Sequence, residues 1–200
     1  MRLHLASANR HKVAELQTLA RTSNPGLKII GAAQVGGMPP VVEDAGTFIG
    51  NARRKARALR RRLPADTWVL ADDSGLCVDA LDGAPGVDSA TFAGPQGDDA
   101  ANLAKLIKVL REVPTPARTA HFLCVLLVLG PSGAEQVFEG RCEGRLLAGP
   151  RGSTGFGYDP VFILSGMDET FAELSAARKN RLSHRALAWE QLAAWVRQGP

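Results

Sequence analysis

Four short stretches carry residue types that can act on a phosphorylated ligand. The first, Ala71-Asp72-Asp73-Ser74-Gly75, follows the apolar run Trp68-Val69-Leu70 and reads as a strand ending in an acidic turn. In a continuing strand, neighbouring side chains point to opposite faces, so the two carboxylates are expected to do different work. One can hold a metal or activate water, and the other can pin the turn by hydrogen bonds. Magnesium takes oxygen ligands, typically one or two carboxylates plus substrate phosphates. Glu43-Asp44, in an upstream loop, can supply the second carboxylate. Taken alone, Asp72-Asp73 reads equally well as a polar turn.

The second stretch is Ser7-Ala8-Asn9-Arg10-His11-Lys12, between a strand and a helix. A helix start presents unpaired N–H groups and a positive dipole end, and phosphate binds there readily. Ser7 and Asn9 can add hydrogen bonds and Lys12 a charge; either Ser7 or Asn9 can instead simply cap the helix. No Walker A pattern is present. The third stretch is Gly152-Ser153-Thr154-Gly155-Phe156-Gly157-Tyr158-Asp159-Pro160. Glycine lets a backbone approach a ligand, Phe156 offers a face for a base, and Asp159 can accept from a base edge. Its plain alternative is a tight loop with Phe156 and Tyr158 as core anchors. The fourth is Lys179 with Ser183-His184-Arg185. Ser183 can cap a last helix, and cations in that first turn oppose the helix dipole. This hints at function, against a reading as solvated charge.

The elements that must position these groups follow from periodicity. Leu3-His4-Leu5-Ala6 and Leu27-Lys28-Ile29-Ile30 read as strands, and Val13, Leu16, Leu19 and Ala20 mark a helix between them. A second helix is expected from Thr47 to Pro64, with Ala52, Ala56, Leu59 and Leu63 on one face. The arginines from Arg53 to Arg62 fill its solvated side, and Lys55 lies one turn from Asn51 near the helix start. Asp98 to Arg111 reads as a third helix capped by Asp98 or Asp99. Arg118–Leu129 and Glu135–Leu147 read as a strand pair joined by Gly130-Pro131-Ser132-Gly133, and a last helix runs from about Ser183 to Val196. Alternation followed by a long hairpin predicts an α/β protein with a mixed sheet.

Composition narrows the class. With 200 residues and 45 % hydrophobic content, the chain supports one sizeable core, compact or drawn into two lobes. Its longest apolar stretch, Phe122 to Leu129, falls short of the ~20 residues a membrane helix needs. The start, Met1-Arg2-Leu3-His4, lacks a signal peptide's apolar core, so an intracellular protein without membrane partners is expected. Three cysteines, Cys77, Cys124 and Cys142, with no Cys-x-x-Cys pair, argue against a disulfide framework or zinc site. The net charge of +4 suits an anionic ligand without identifying one.

In this order, these stretches resemble the inosine triphosphate pyrophosphatase family, also called XTP/dITP diphosphatases. The resemblance rests on Leu5-Ala6-Ser7-Ala8-Asn9 with Lys12; Gly46-Thr47-Phe48 with Asn51-Ala52 and Lys55-Ala56; Ala71 to Leu76; Gly83-Ala84-Pro85-Gly86-Val87 with Ser89-Ala90; Gly155 to Pro160; and Lys179 with Ser183-His184-Arg185. It spans nearly the whole chain. It implies a single domain over residues 1–200, an elongated mixed sheet flanked by helices, and two lobes with an active-site cleft between them. It also implies hydrolysis of ITP, dITP and XTP to the monophosphate and pyrophosphate, with Mg2+, in a cytoplasmic homodimer. By position, Ser7, Ala8, Asn9, Arg10, His11 and Lys12 would bind the triphosphate and Ser74 would contact substrate. Phe156, Gly157, Tyr158, Asp159, Lys179, His184 and Arg185 would hold the nucleotide. Glu43 and Asp73 would hold magnesium, and Asp73 would accept the proton. Lys12 and Lys55 would stabilise the leaving group, while Arg185 or His184 would donate to a 6-keto oxygen. Asp88 and Thr91 depart from the family pattern, which often has an aromatic residue and an arginine there. Two alternatives stand beside this reading: a related pyrophosphatase for pyrimidine or other modified triphosphates, and a basic nucleic-acid module built on the arginine helix. The second is disfavoured because no aromatics cluster beside those arginines.

Overall fold

The computed structural model of the chain describes residues 1–199. Its elements run β1 (Arg2–Leu5), α1 (Arg10–Ser23), β2 (Lys28–Gly31), α2 (Phe48–Arg60), β3 (Trp68–Val78), α3 (Asp99–Leu110), β4 (Thr119–Leu129), β5 (Glu135–Leu146), β6 (Phe162–Leu164), α4 (Ala176–Leu182) and α5 (His184–Gln198). The strands form one mixed sheet in the order β2-β1-β3-β4-β5-β6. β1 is parallel to β2 and β3, with Leu3 opposite both Ile29 and Trp68, whereas β5 and β6 are antiparallel. Parallel neighbours cannot be joined by a tight turn, and α1 and α2 are the crossovers. The mixed α/β architecture is as expected. No helix among the described residues is long and apolar enough to cross a membrane.

The chain divides into two compact units. The first holds Met1–Asp73, Cys124–Gly140 and the chain from Arg185 onward; the second holds Ser74–Leu123 and Arg141–His184. The boundary therefore falls inside β3, β4 and β5.

In the first unit β3 is buried on both faces, which is why Trp68-Val69-Leu70-Ala71 reads as an apolar run, whereas β1 alternates, with Leu3 and Leu5 buried and Arg2 exposed. On one face Leu3, Leu5, Leu70, Cys124 and Leu126 pack with Leu16 and Leu19 of α1 and Trp189 and Leu192 of α5. On the other, Ala6, Val69, Ala71, Val125 and Leu127 meet Ala52, Ala56 and Leu59 of α2. Small alanines on that stripe bring the α2 backbone close to the strands. In the second unit an aromatic cluster forms the centre: Phe122 and Phe162 meet edge-on at 4.7 Å between ring centroids, and Phe122 stacks on Phe171 at 6.0 Å. Asp98 caps α3 by accepting from Ala101 N, 2.9 Å.

Two expectations need correction. Ala71–Gly75 is not a turn at a strand end but the middle of β3, which continues to Val78. Leu76 and Val78 are fully buried and carry the strand onward, and the two carboxylates are tolerated inside it because cations meet them. β6 and α4 do not appear in the sequence reading; the residues before Ser183 form a short helix, α4, capped by Ser175, whose side chain accepts from Arg178 N. All three cysteines are free and buried; Cys77 and Cys124 lie in apolar runs, whereas Cys142 is flanked by Arg141 and Glu143.

Candidate active site

Alternation along β3 sends Asp72 and Asp73 to different partners. Asp72, 1 % exposed, faces α1 and α5. Lys12 Nζ lies 2.7 Å from its Oδ1, Arg185 Nε donates to its Oδ2 at 2.7 Å, and the Cys124 thiol lies 3.6 Å from Oδ2. The Arg185 Nη1 pairs with Glu15 at 2.6 Å. Burial pushes the Asp72 carboxyl up, but Arg185 and Lys12 overturn this and hold it well below the usual carboxylate range. Arg185, expected at the nucleotide, thus directs two of its nitrogens at carboxylates within the first unit.

Asp73 faces α2. Its Oδ1 accepts from Lys55 Nζ at 2.6 Å, and the same ammonium lies 3.1 Å from Glu43 Oε2. Asp73 Oδ2 is buried and has no hydrogen-bond partner among the described residues. Burial raises the Asp73 carboxyl above its ordinary value; Lys55 and Lys12 offset part of the rise and Glu43 adds to it. For Lys55, burial works against the charge, yet Asp73 and Glu43 outweigh it and keep the ammonium protonated. Asp44, the neighbour of Glu43, pairs instead with Arg54 of α2. Glu43 is therefore the acidic-loop residue that shares a cation with Asp73.

At the start of α1, Asn9 is the cap: its Oδ1 accepts from His11 N at 2.9 Å and Lys12 N at 3.1 Å. Ser7 Oγ accepts from Asn9 N at 3.2 Å. The capping alternative thus holds for Asn9, which occupies two of the amides that a phosphate would use. Ala8, Asn9, Arg10 and His11 are exposed, and Ser7 is buried.

The second unit carries its own set. Lys179 of α4 is buried, with Nζ 2.6 Å from Asp159 Oδ2, 4.8 Å from the Phe156 ring centroid and 6.0 Å from that of Phe171. Asp159 Oδ2 also accepts from Phe156 N at 2.9 Å, closing the glycine loop on itself. Gly155 has φ +78°, and a Cβ there would strike the Asp159 carboxylate, so only glycine fits. Gly157 N donates to Asp99 Oδ2 at 3.2 Å and Tyr158 OH to Ser89 O at 2.8 Å, which makes Tyr158 a core anchor. His184 stacks on Phe122 at 4.7 Å with rings 10° apart. Ser74, the first residue of this unit, follows Asp73 directly in β3.

Sequence reasoning missed Glu15, Asp99, Cys124 and Phe122. Glu15 alone left a local signal: it lies one helical turn after Lys12, on the same face. The other three are joined to the site through long-range pairing, which spacing does not encode.

Magnesium asks for oxygen ligands and few protein carboxylates. The Asp73–Glu43 pair fits: both donors are carboxylates, they already share one cation, and Asp73 Oδ2 is buried without a partner. No cluster of three or more His, Cys, Asp or Glu suited to a metal occurs among the described residues, so a metal here would rely on two carboxylates and the substrate.

The model of the Ham1 family matches residues 3–195. A dITP/XTP pyrophosphatase of Opitutus terrae is 60 % identical, covering 99 % of this chain and 100 % of its own. One from Leuconostoc mesenteroides is 43 % identical, covering 96 % and 94 %. The solved structure of the Staphylococcus aureus Ham1 protein superposes with a TM-score of 0.85 at 36 % identity, over 100 % of both chains.

Proposed function

The chain belongs to the Ham1 family, and from that membership we propose that it hydrolyses deaminated purine nucleoside triphosphates (ITP, dITP and XTP) to the monophosphate and pyrophosphate. It is a hydrolase of nucleoside triphosphates, and the names of its relatives lend the pyrimidine alternative no support. The observation that carries the reading is the Asp73–Lys55–Glu43 set, in which Asp73 and Lys55 are buried and Asp73 Oδ2 has no partner among the described residues.

In this reaction water attacks the α-phosphorus. The bond from that phosphorus to the oxygen bridging to the β-phosphate breaks, and pyrophosphate leaves. Asp73 takes the water's proton; a carboxyl raised by burial is a better proton acceptor than an exposed one. Lys12 and Lys55 meet the negative charge that develops on the leaving group. Arg185 and Asp72 act behind Lys12, fixing its ammonium by the 2.7 Å contacts to the Asp72 carboxylate. Glu43 and Asp73 would hold Mg2+, which when bound supplies neutralisation of the phosphate charge.

The second unit supplies base recognition. Phe156 stacks on the purine, Asp159 and Lys179 read its edge, and His184 donates to the 6-keto oxygen. The adenine amino group would set donor against donor there, leaving buried groups unpaired at about 1–3 kcal/mol each. Function in the cytoplasm, as a homodimer, completes the proposal.

Hydrolysis of ITP in 18O-labelled water tests the bond cleaved. The label is expected in inosine monophosphate, with pyrophosphate unlabelled. Label in pyrophosphate, or orthophosphate as the first product, refutes attack at the α-phosphorus.

A further inference from the structure

Asn51, in the first turn of α2, is fully buried. Its Oδ1 accepts from Ala45 N at 3.1 Å. Its Nδ2 is buried and has no hydrogen-bond partner among the described residues. The amide orientation is not interchangeable: turning it over would set NH2 against the Ala45 N–H, donor against donor. The donor is therefore held where it is, although a buried donor without an acceptor is costly.

The surroundings give that cost a reason. Ala45 lies two residues after Glu43, on the loop that brings the Glu43 carboxylate to Lys55. Lys55 lies four residues after Asn51, on the same face of α2, and leads to Asp73. Thr47 caps the helix by accepting from Gly50 N at 3.1 Å, and Arg54 donates to Val42 O at 3.1 Å, which ties the same loop from its other side. Two buried atoms thus stand unpartnered in this neighbourhood: a donor, Asn51 Nδ2, and an acceptor, Asp73 Oδ2.

We propose that Asn51 is a positioning residue with two separable tasks: its Oδ1 hooks the acidic loop so that Glu43 is presented to the divalent cation, and its Nδ2 donates to a phosphate oxygen of the bound triphosphate. Neither task is carried by Lys55 or Asp73 themselves. The inference rests on the function proposed above, through the assignment of Glu43 to the cation.

Variants separate the two tasks. Asn51→Ala removes hook and donor, whereas Asn51→Asp keeps an acceptor for Ala45 N, loses the donor and adds a negative charge. Arg53→Ala, on the exposed side of α2 where Arg53 pairs with Glu135, is the control. Mn2+ alone is the probe, with free Mn2+ read by electron paramagnetic resonance on the full chain without nucleotide. Groups that orient metal ligands typically contribute 10- to 100-fold to affinity. Asn51→Ala is expected to weaken Mn2+ binding by about 10-fold with cooperative melting retained. Asn51→Asp is expected to bind Mn2+ at least as tightly as the parent, yet to show a raised KM for ITP at saturating Mg2+. Arg53→Ala should match the parent in both. Parent-like Mn2+ affinity in Asn51→Ala overturns the hook, and parent-like KM in Asn51→Asp overturns the donor. A Glu43→Gln arm separates the failures. If it leaves Mn2+ affinity unchanged, the cation assignment falls and the hook with it; if it weakens binding while Asn51→Ala does not, only the hook falls.

Discussion

Asp72 meets Lys12, Arg185 and the Cys124 thiol, whereas Asp73 keeps one buried oxygen without a donor. Replacing them should therefore have opposite consequences. Asp72→Asn leaves the buried Arg185 and Lys12 facing a neutral amide, and breaking such a buried pair costs about 3–5 kcal/mol. Urea unfolding should show that loss. The Asp72 carboxyl is held below its ordinary value of 3.8, so its contribution is present above that pH and lost as pH falls through the lower folded value. The acid limb of stability should accordingly be gentler in Asp72→Asn than in the parent. Asp73 has the other sign. Its carboxyl is raised above 3.8, so its protonated form favours folding at low pH, and that contribution is lost as pH rises through the folded value. Asp73→Asn should fold with near-parent stability and lose roughly 10²–10⁴-fold in kcat, the usual worth of a general base. In the parent, kcat/KM for ITP should rise with pH along a limb lying above 3.8, because the proton acceptor must be ionised.

The glycine loop and the helix starts do the placing. Gly155→Ala would force a side chain onto the Asp159 carboxylate at a positive φ, displacing the Lys179 partner. It should raise KM for ITP by on the order of 10-fold, with a smaller effect on kcat, because it disturbs binding rather than the Asp73 chemistry. At this scale much was legible in the sequence. α1, α2 and α3 have apolar stripes at helical spacing, and Thr47 and Asp98 cap α2 and α3 as their side-chain chemistry dictates. α4 was not, because Ala176–Leu182 is seven residues of mostly polar sequence whose buried member is a lysine. β6 is three residues long and gives no alternation to read. The acidic stretch in β3 looked like a turn because two adjacent aspartates disfavour a strand. What rescues the strand is pairing across the chain, including Arg185 with Asp72, 113 residues away. For the same reason the sequence suggested Glu43 with Asp73 as a metal pair and Lys55 at the leaving group but gave no sign that one ammonium joins all three.

On the scale of the molecule, the residues proposed to meet phosphate, Lys12, Lys55, Asp73 and Glu43, belong to the first compact unit, and those proposed to meet the base, Phe156, Asp159 and Lys179, to the second. The two units are contiguous in sequence at the Asp73–Ser74 peptide bond inside β3. Two bulk measurements bear on the whole chain. Light scattering coupled to size exclusion should give twice the chain mass of 21.2 kDa if the proposed homodimer forms. Chelation by EDTA should stop turnover, and added Mg2+ should restore it, because the Mg2+ proposed at Glu43 and Asp73 would neutralise the phosphate charge. The central claim is that this chain selects a 6-keto purine triphosphate and releases pyrophosphate. The most direct test compares kcat/KM for ITP and ATP, with Mg2+ and pyrophosphate detection. ITP should be preferred by roughly 10- to 100-fold or more, as expected when buried donors meet the adenine amino group. Equal values for the two nucleotides would contradict it.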